Sequence, residues 1–336
     1  MKLFSQSPCR VDLAGGTLDI WPICLYHDNA VTVNFAVSRY TQCWIETRDD
    51  SRIILKSRDL GAQESFESLD ALMAAKKYKL GLHAWLLRFF RPKTGLLFET
   101  NSQAPAGAGI SGSSSLMITA GAALNRLCGT GFAIEKLRET VQNIESQIIR
   151  VPTSPQDYYP AMYGGVGNIE LRPSGIQHFY LPVDLDEFNQ RIVLAYTKVP
   201  RNSGINNWEV MKAHINGDKK VQKNFDRIAE IANGMRAAVG RQEWSEAGRL
   251  LRAEWEHRRK NIPTISTELI DRLVKVTRRQ GALGAKVCGA GGGGCVFFLV
   301  EPDAQKRVQE AIAKEGAEVL PVTVAPKGVR VKVERE

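Results

Sequence analysis

An α+β protein of two domains is the fold class that this sequence predicts. The chain has 336 residues, about two domains by length. Its first half opens on short β-rich runs, and its second half on long helical patterns. The later order of strand, helices, strand, helix, strand suits a ferredoxin-like sandwich. The expected division is 1–180 and 181–336.

The first half begins with a strand pattern at 9–14, and 30–37, 41–47 and 52–56 read as successive antiparallel strands. Gly15-Gly16-Thr17-Leu18-Asp19 follows the first of them. Paired glycines there fit either a tight turn or backbone held close to a ligand. Residues 68–90 are expected to be helical, with Leu69, Leu72, Leu80, Trp85 and Leu86 in the core, and 95–101 to be a strand.

The chain is organised around the next stretch, Ala104-Pro105-Ala106-Gly107-Ala108-Gly109-Ile110-Ser111-Gly112-Ser113-Ser114-Ser115. Leu116, Ala120, Leu124 and Leu127 continue it at helical spacing, and Gly129 reads as the stop. Strand, glycine loop and helix start aim several N–H groups and the positive helix end at one spot, which suits phosphate. A plain turn with an N-cap is the other reading. No Lys-Ser or Lys-Thr follows the glycines, so this is not the usual P-loop.

A second helix begins near Phe132, with Leu137, Val141, Ile144 and Ile148 on its buried stripe. Glu145 flanks that stripe, either at a cleft edge or as an ordinary exposed acid. Pro152 and Pro155 break the helix, and Asp157 just after them is either an N-cap or a lone general base. A strand at 166–171 closes this half.

The second half reads as a strand at 191–197, helices at 205–214, 219–239 and 243–258, and a helix capped by Ser266 that runs to Arg279 and stops at Gly281. Gly291 to Gly294 then lead into a strand at 296–300. Four successive glycines cost backbone entropy, so they imply close approach to a ligand or to the opposing loop. A helix at 303–314 and strands at 317–324 and 328–333 finish the chain.

No run of 18 apolar residues spans a membrane, and the N-terminus lacks a secretory h-region. The six cysteines show no metal spacing and the five histidines no ligand pair, so reduced thiols in a cytoplasmic protein are expected. The net charge of +9 clusters partly at Arg258-Arg259-Lys260, Arg272, Lys275, Arg278 and Arg279. That cluster reads as a solvated helix face, an attractor for an anionic small substrate, or a nucleic-acid patch. Interleaved acids, among them Glu243, Glu246, Glu254 and Glu256, speak against nucleic acid.

Three motifs stand in a fixed order: Pro8-Cys9-Arg10-Val11-Asp12-Leu13-Ala14-Gly15-Gly16, Pro105 to Ser114, and Lys286-Val287-Cys288-Gly289-Ala290 followed by Gly291 to Gly294. Together they resemble the GHMP kinase superfamily of galactokinases, homoserine kinases, mevalonate kinases and phosphomevalonate kinases. Ala14-Gly15-Gly16 with Asp19, and Gln156-Asp157 with Tyr159, Ala161, Tyr163, Gly164 and Gly165, are similar to the heptose 7-phosphate kinases and the kinase part of fucokinases. Tyr196-Thr197 with Arg201 and Ser203 resembles the same subgroup.

The resemblance implies an N-terminal domain like the second domain of ribosomal protein S5 and a C-terminal ferredoxin-like domain. It implies ATP and Mg²⁺ as cofactors and a sugar or sugar-phosphate substrate, with no nucleic acid or membrane partner, in a monomer or homodimer. By position, Asp157 and Arg10 match the catalytic pair, and Ser113 and Glu145 the metal-side residues. Pro105, Gly107, Ala108, Gly109, Ile110, Ser111, Gly112, Ser113, Ser114, Gly291 and Gly292 match the nucleotide-binding positions. Asp19, Gly16, Thr17 and Arg201 are the substrate-side candidates. Gly112 stands where the family usually has Ser, Ser111 where many members have Gly, and Pro155 where Gly or Lys usually stands. Gly16 and Thr17 replace the Glu-His of galactokinases, which argues against galactose. The implied activity is transfer of the γ-phosphate of ATP to a sugar hydroxyl, the anomeric one of a heptose 7-phosphate or a related sugar. The alternatives are a mevalonate- or homoserine-type acceptor, a degenerate member that binds nucleotide without turnover, and an RNA-binding protein of S5-like fold.

Overall fold

The computed structural model describes residues 1–200 and 205–334. The first half contains β1 (Lys2–Ala14), β2 (Val31–Arg48), β3 (Ile53–Ser57) and β4 (Ala62–Phe66). It continues with α1 (Leu69–Ala74), α2 (Gly81–Phe90), β5 (Gly95–Ser102), α3 (Gly112–Cys128), α4 (Ile134–Ile149), α5 (Tyr159–Tyr163), β6 (Val166–Arg172) and β7 (Gly175–Tyr180). The second half contains α6 (Leu185–Asn189), β8 (Ile192–Tyr196), α7 (Ile205–Ile215), α8 (Lys219–Gly240), α9 (Trp244–Asn261) and α10 (Glu268–Arg279). The strands β9 (Ala282–Val287) and β10 (Cys295–Val300), helix α11 (Gln305–Lys314), and strands β11 (Glu318–Leu320) and β12 (Arg330–Glu334) complete it.

One sheet runs β12-β1-β2-β5-β3-β4, with β6 paired to β2 and β7 to β6. The other runs β11-β8-β10-β9, antiparallel throughout. With its two helical crossovers, this second sheet has the ferredoxin-like order that the sequence predicts.

The expected strands 30–37 and 41–47 form one strand, β2. Its first part pairs with β6 and its later part with β5, while the register against β1 shifts between Pro8 and Cys9. A bulge rather than a turn therefore absorbs Ser38 and Arg39. Strand β3 does not pair with β2 as successive strands would: β5 lies between them, and β3 pairs parallel with β5 and antiparallel with β4. The single helical segment expected over 68–90 is two helices, because Glu64 accepts the N–H groups of Lys79 and Leu80 at the entry to α2. Thr267, not Ser266, caps α10, and its hydroxyl accepts the Ile270 N–H at 3.3 Å. Of the strand expected over 317–324, Glu318–Leu320 forms β11, and Val324 makes only an isolated antiparallel bridge to Val37.

Helix α3 is buried along most of its length against the first sheet. Four hydroxyls fasten its first half there. Ser115 and Thr119 of α3 bond to Ser7 of β1 and Thr41 of β2, with Ser115–Ser7 at 2.9 Å, Ser115–Thr41 at 2.8 Å and Thr119–Thr41 at 2.7 Å. All four residues are buried, and the network fixes where the N-terminus of α3 points. Thr119→Val keeps the volume but leaves Ser7 and Thr41 short of a partner. We expect a loss of about 1–3 kcal/mol of stability, read from the shift of the denaturant unfolding midpoint.

Candidate active site

A cleft of about 680 Å³ is lined by residues of both halves of the chain, among them Arg10, Ser113, Glu145, Asp157, Arg258 and Gly289. One wall is the glycine–serine stretch. Pro105, Gly107, Ala108, Gly109, Ser111, Gly112, Ser113 and Ser114 all line it. Ile110 does not: its side chain is buried in the core and its carbonyl accepts the Arg10 backbone N–H at 3.0 Å. Ser111 is the N-cap of α3 in the left-handed region, and its Oγ is buried with no hydrogen-bond partner. The first-turn N–H groups that follow have no partner within the helix. An oxyanion would satisfy both needs. Gly112 suits its place, because a Cβ there would press within 3.1 Å of the Ala104 Cβ.

Asp157 sits in a 3₁₀ turn, Pro155–Asp157, that carries its carboxylate to the cleft. Arg10 grips it: Nε and Nη2 donate to Oδ1 at 3.0 and 2.5 Å. The third arm of Arg10, Nη1, donates to the Gly109 carbonyl at 2.7 Å and so ties the pair to the phosphate-type loop. Glu145 faces the same space from α4 and is 4% exposed. Burial pushes its carboxyl above the usual range, opposed by hydroxyls of Ser113, Tyr158 and Ser114. The Tyr158 hydroxyl donates to Glu145 Oε2 at 2.5 Å.

Behind this pair lies a charge cluster that the sequence reading missed. The Lys286 Nζ of β9 donates to Asp12 Oδ2 of β1 and to Glu254 Oε2 of α9, each at 2.6 Å. Glu254 Oε1 accepts the Gly15 N–H at 3.1 Å. Arg10 and Arg258 also approach Asp12, at 3.8 and 3.7 Å. Burial opposes ionisation of Asp12, but Lys286, Arg10 and Arg258 hold it well below the usual carboxylate range. Asp12 and Lys286 stand inside the first and third motifs, which is the signal that could have singled them out. Glu254 and Arg258 look like part of a solvated helix face in sequence, yet they are 0% and 3% exposed.

The substrate-side candidates divide. Gly16 and Thr17 line the cleft. Asp19 does not; it lies behind the wall, where Oδ2 accepts the Ser154 hydroxyl and the Gln156 N–H, the latter at 2.9 Å. Its Oδ1 is buried without a partner, and burial pushes its carboxyl up to about 7. Arg201 and Ser203 lie outside the described residues. Gly291 and Gly292 are not in the lining, whereas Gly289 and Ala290 are. A Cβ on Gly291 would stand 2.1 Å from Ile265 Cγ1, and one on Gly294 2.8 Å from the carbonyls of Gly107 and Ala108. The glycine run thus serves contact with opposing loops. Trp44, Trp85 and Tyr40, aromatic residues that could stack on a base, do not line the cleft; Leu60 and Leu82 do.

Residues 73–165 match the family description "GHMP kinases N terminal domain", and residues 235–318 match "GHMP kinases C terminal". The two matches cover more than half of the chain. The chain belongs to the GHMP kinases. It has their two-domain fold and is a phosphotransferase with an alcohol group as acceptor. A D-glycero-alpha-D-manno-heptose 7-phosphate kinase of Campylobacter jejuni is 26% identical over 97% of both chains. The L-fucokinase/L-fucose-1-P guanylyltransferase of Bacteroides fragilis is 25% identical over 98% of this chain but 38% of its own length. Among solved structures, a D-glycero-D-manno-heptose 1-phosphate kinase from Bacteroides thetaiotaomicron superposes with a TM-score of 0.79 at 22% identity, over 99% of this chain and 100% of that one. Lactococcus lactis galactokinase complexed with galactose gives a TM-score of 0.81 at 20% identity, over 98% and 95%. Among the described residues, no helix of this kinase is long and apolar enough to cross a membrane.

Two outcomes follow from the buried carboxylates. Lys286→Met strands Asp12 and Glu254 without their shared cation, and we expect a loss of about 3–5 kcal/mol, measured by denaturant unfolding. Asp19 is protonated more readily in the fold than in the unfolded chain, so its contribution is full below the usual carboxylate range and is lost as pH rises through about 7. Asp19→Asn removes that loss, so its melting temperature relative to the parent protein should rise between pH 5 and pH 8. An unchanged difference across that range would contradict the assignment.

Proposed function

We propose that this kinase is an ATP-dependent sugar kinase acting on the anomeric hydroxyl of a heptose 7-phosphate or a closely related sugar. One observation carries the chemistry: the Asp157 carboxylate, gripped by Arg10, shares a cleft with the open N-terminus of α3. The acceptor class is supported by the Campylobacter jejuni relative, which is similar over nearly the full length of both chains. A Thermococcus sibiricus mevalonate kinase, 25% identical over 99% of both chains, keeps a non-sugar alcohol as the second reading. The basic run that could have met RNA is in part buried, with Arg258 inside the cleft.

In this reading the β- and γ-phosphates lie on the N–H groups of residues 107–114, and the adenine lies toward Leu60 and Leu82. Asp157 accepts the proton of the acceptor hydroxyl as its oxygen bonds to the γ-phosphorus and the bond to the β-phosphate oxygen breaks, releasing ADP. Arg10 offsets the charge that builds up beside it. Gly16 and Thr17 face the sugar. Asp19 acts on the sugar indirectly, by holding Ser154 and the backbone of Gln156, two residues of the cleft lining.

Glu145 with the Ser113 hydroxyl forms a hard-oxygen donor set at the head of α3. This fits Mg²⁺, which takes one or two protein oxygens and completes its shell with phosphates and water. Bound there, Mg²⁺ would supply charge neutralisation on the phosphate oxygens.

The test is ATP consumption with Mg²⁺ against heptose 7-phosphate, mannose, fucose, galactose, galacturonate and mevalonate, with NMR of the product. Turnover on a heptose 7-phosphate with phosphate at the anomeric position is expected; turnover on mevalonate alone would replace the acceptor. Asp157→Asn should lower kcat by about 10²–10⁴-fold with ATP affinity retained. Near-normal turnover in that variant would remove Asp157 from the base role.

A further inference from the structure

Arg258 stands on the last turn of α9, 3% exposed, and lines the cleft. Its Nη2 donates to the Gly289 carbonyl at 2.6 Å. Its Nη1 is buried and has no hydrogen-bond partner; the nearest charge is Asp12 Oδ2, 3.7 Å away. That oxygen already receives Lys286 at 2.6 Å. The three cations of the cluster thus differ. Lys286 is held between two carboxylates, and Arg10 is spent on Asp157 and the Gly109 carbonyl. Arg258 alone of the three keeps a guanidinium edge with unmet donors in the cleft.

Leaving a charged donor buried and unmet is costly, so such a group calls for a partner that arrives later. The partner must be an anion or a strong acceptor, because a guanidinium only donates. Arg10 and Arg258 flank opposite oxygens of one carboxylate, Asp12, at 3.8 and 3.7 Å. Asp12 therefore screens the two cations from each other and keeps both near the Asp157 end of the cleft. The planar fork of arginine matches the oxygens of a phosphoryl group.

We propose that Arg258 is a second phosphate-binding cation of the transfer site, contributed by the C-terminal half, whose Nη1 edge donates to a phosphoryl oxygen in the cleft. This rests on the kinase reading above. The phosphoryl group belongs either to the γ-position of the donor or to a phosphorylated acceptor, and one set of binding measurements separates the two. Calorimetric titrations of the full chain with Mg²⁺ would use AMP-PNP, ADP, heptose 7-phosphate and the unphosphorylated heptose. They would compare the parent protein, Arg258→Met and Arg258→Lys.

In Arg258→Met we expect AMP-PNP to bind about tenfold or more weakly with ADP unchanged, which places the γ-phosphate on Arg258. Weaker binding of heptose 7-phosphate alone, with the plain sugar and AMP-PNP unaffected, places the acceptor phosphate there. Arg258→Lys keeps the charge but not the fork, and should fall between the other two proteins; it also reads the role if the methionine variant does not fold. A purely structural role would weaken ADP and AMP-PNP alike, and that result overturns the proposal. So do parent-like affinities for all four ligands in a folded Arg258→Met protein, with the kinase reading intact. Failure of the parent protein to bind either nucleotide would overturn the kinase reading itself, and the role of Arg258 with it.

Discussion

The Lys286 ammonium has no exposed surface and is held between a carboxylate of β1 and another of α9. Taking those charges out of water is expensive, and the cost is met only if every partner stays in place. The same Asp12 that holds Lys286 stands beside Arg10, which holds Asp157 and the Gly109 carbonyl. The reacting carboxylate, the phosphate-type loop and the seam between the two halves are therefore parts of one electrostatic object. No one of them can move far without leaving a buried charge unpaired.

Much of this was legible in the chain, and the failures have identifiable causes. The open helix start at Ser111 to Ser114 was readable because glycines, serines and helical spacing agree there. Asp157 is legible because a lone acid after two prolines is held in a fixed turn. The strand β9 is not legible, since Gly284 and Lys286 spoil any alternation. Those two residues are there for other elements: Gly284 lets the Gly248 carbonyl of α9 come close, and Lys286 meets the cluster. The charges on α9 misled for a related reason. Periodicity sets Glu254 and Arg258 four apart on one helical face, but whether that face meets water or a second domain is a tertiary fact.

The third motif admits two partners in sequence, a ligand or the opposing loop, and the fold supplies the second for Gly291 and Gly294. Its glycines do answer a demand for close approach, but the neighbour is the chain itself. Gly291 packs on Ile265, and Gly294 packs on the carbonyls of Gly107 and Ala108, while the Cys295 N–H bonds to the Ala108 carbonyl at 2.7 Å. The loop after β9 buttresses the loop before α3. Gly289 and Ala290 at the head of that loop line the cleft, while Gly291 and Gly294 act on it through the shape of the glycine–serine stretch.

The last described strand, β12, pairs with β1, so that Lys2 stands opposite Glu334 and Gln6 opposite Arg330. On the way there the chain threads past α5, where a Cβ on Gly328 would strike the Met162 carbonyl. The first sheet is thus finished by residues that follow the whole of the second sheet in sequence. Until they arrive, β1 presents a bare edge, the kind of surface on which nascent chains pair wrongly. The sheet that begins earlier in the sequence is closed only after the later sheet is complete, and a fragment ending at β11 would lack a piece of the domain it was meant to isolate.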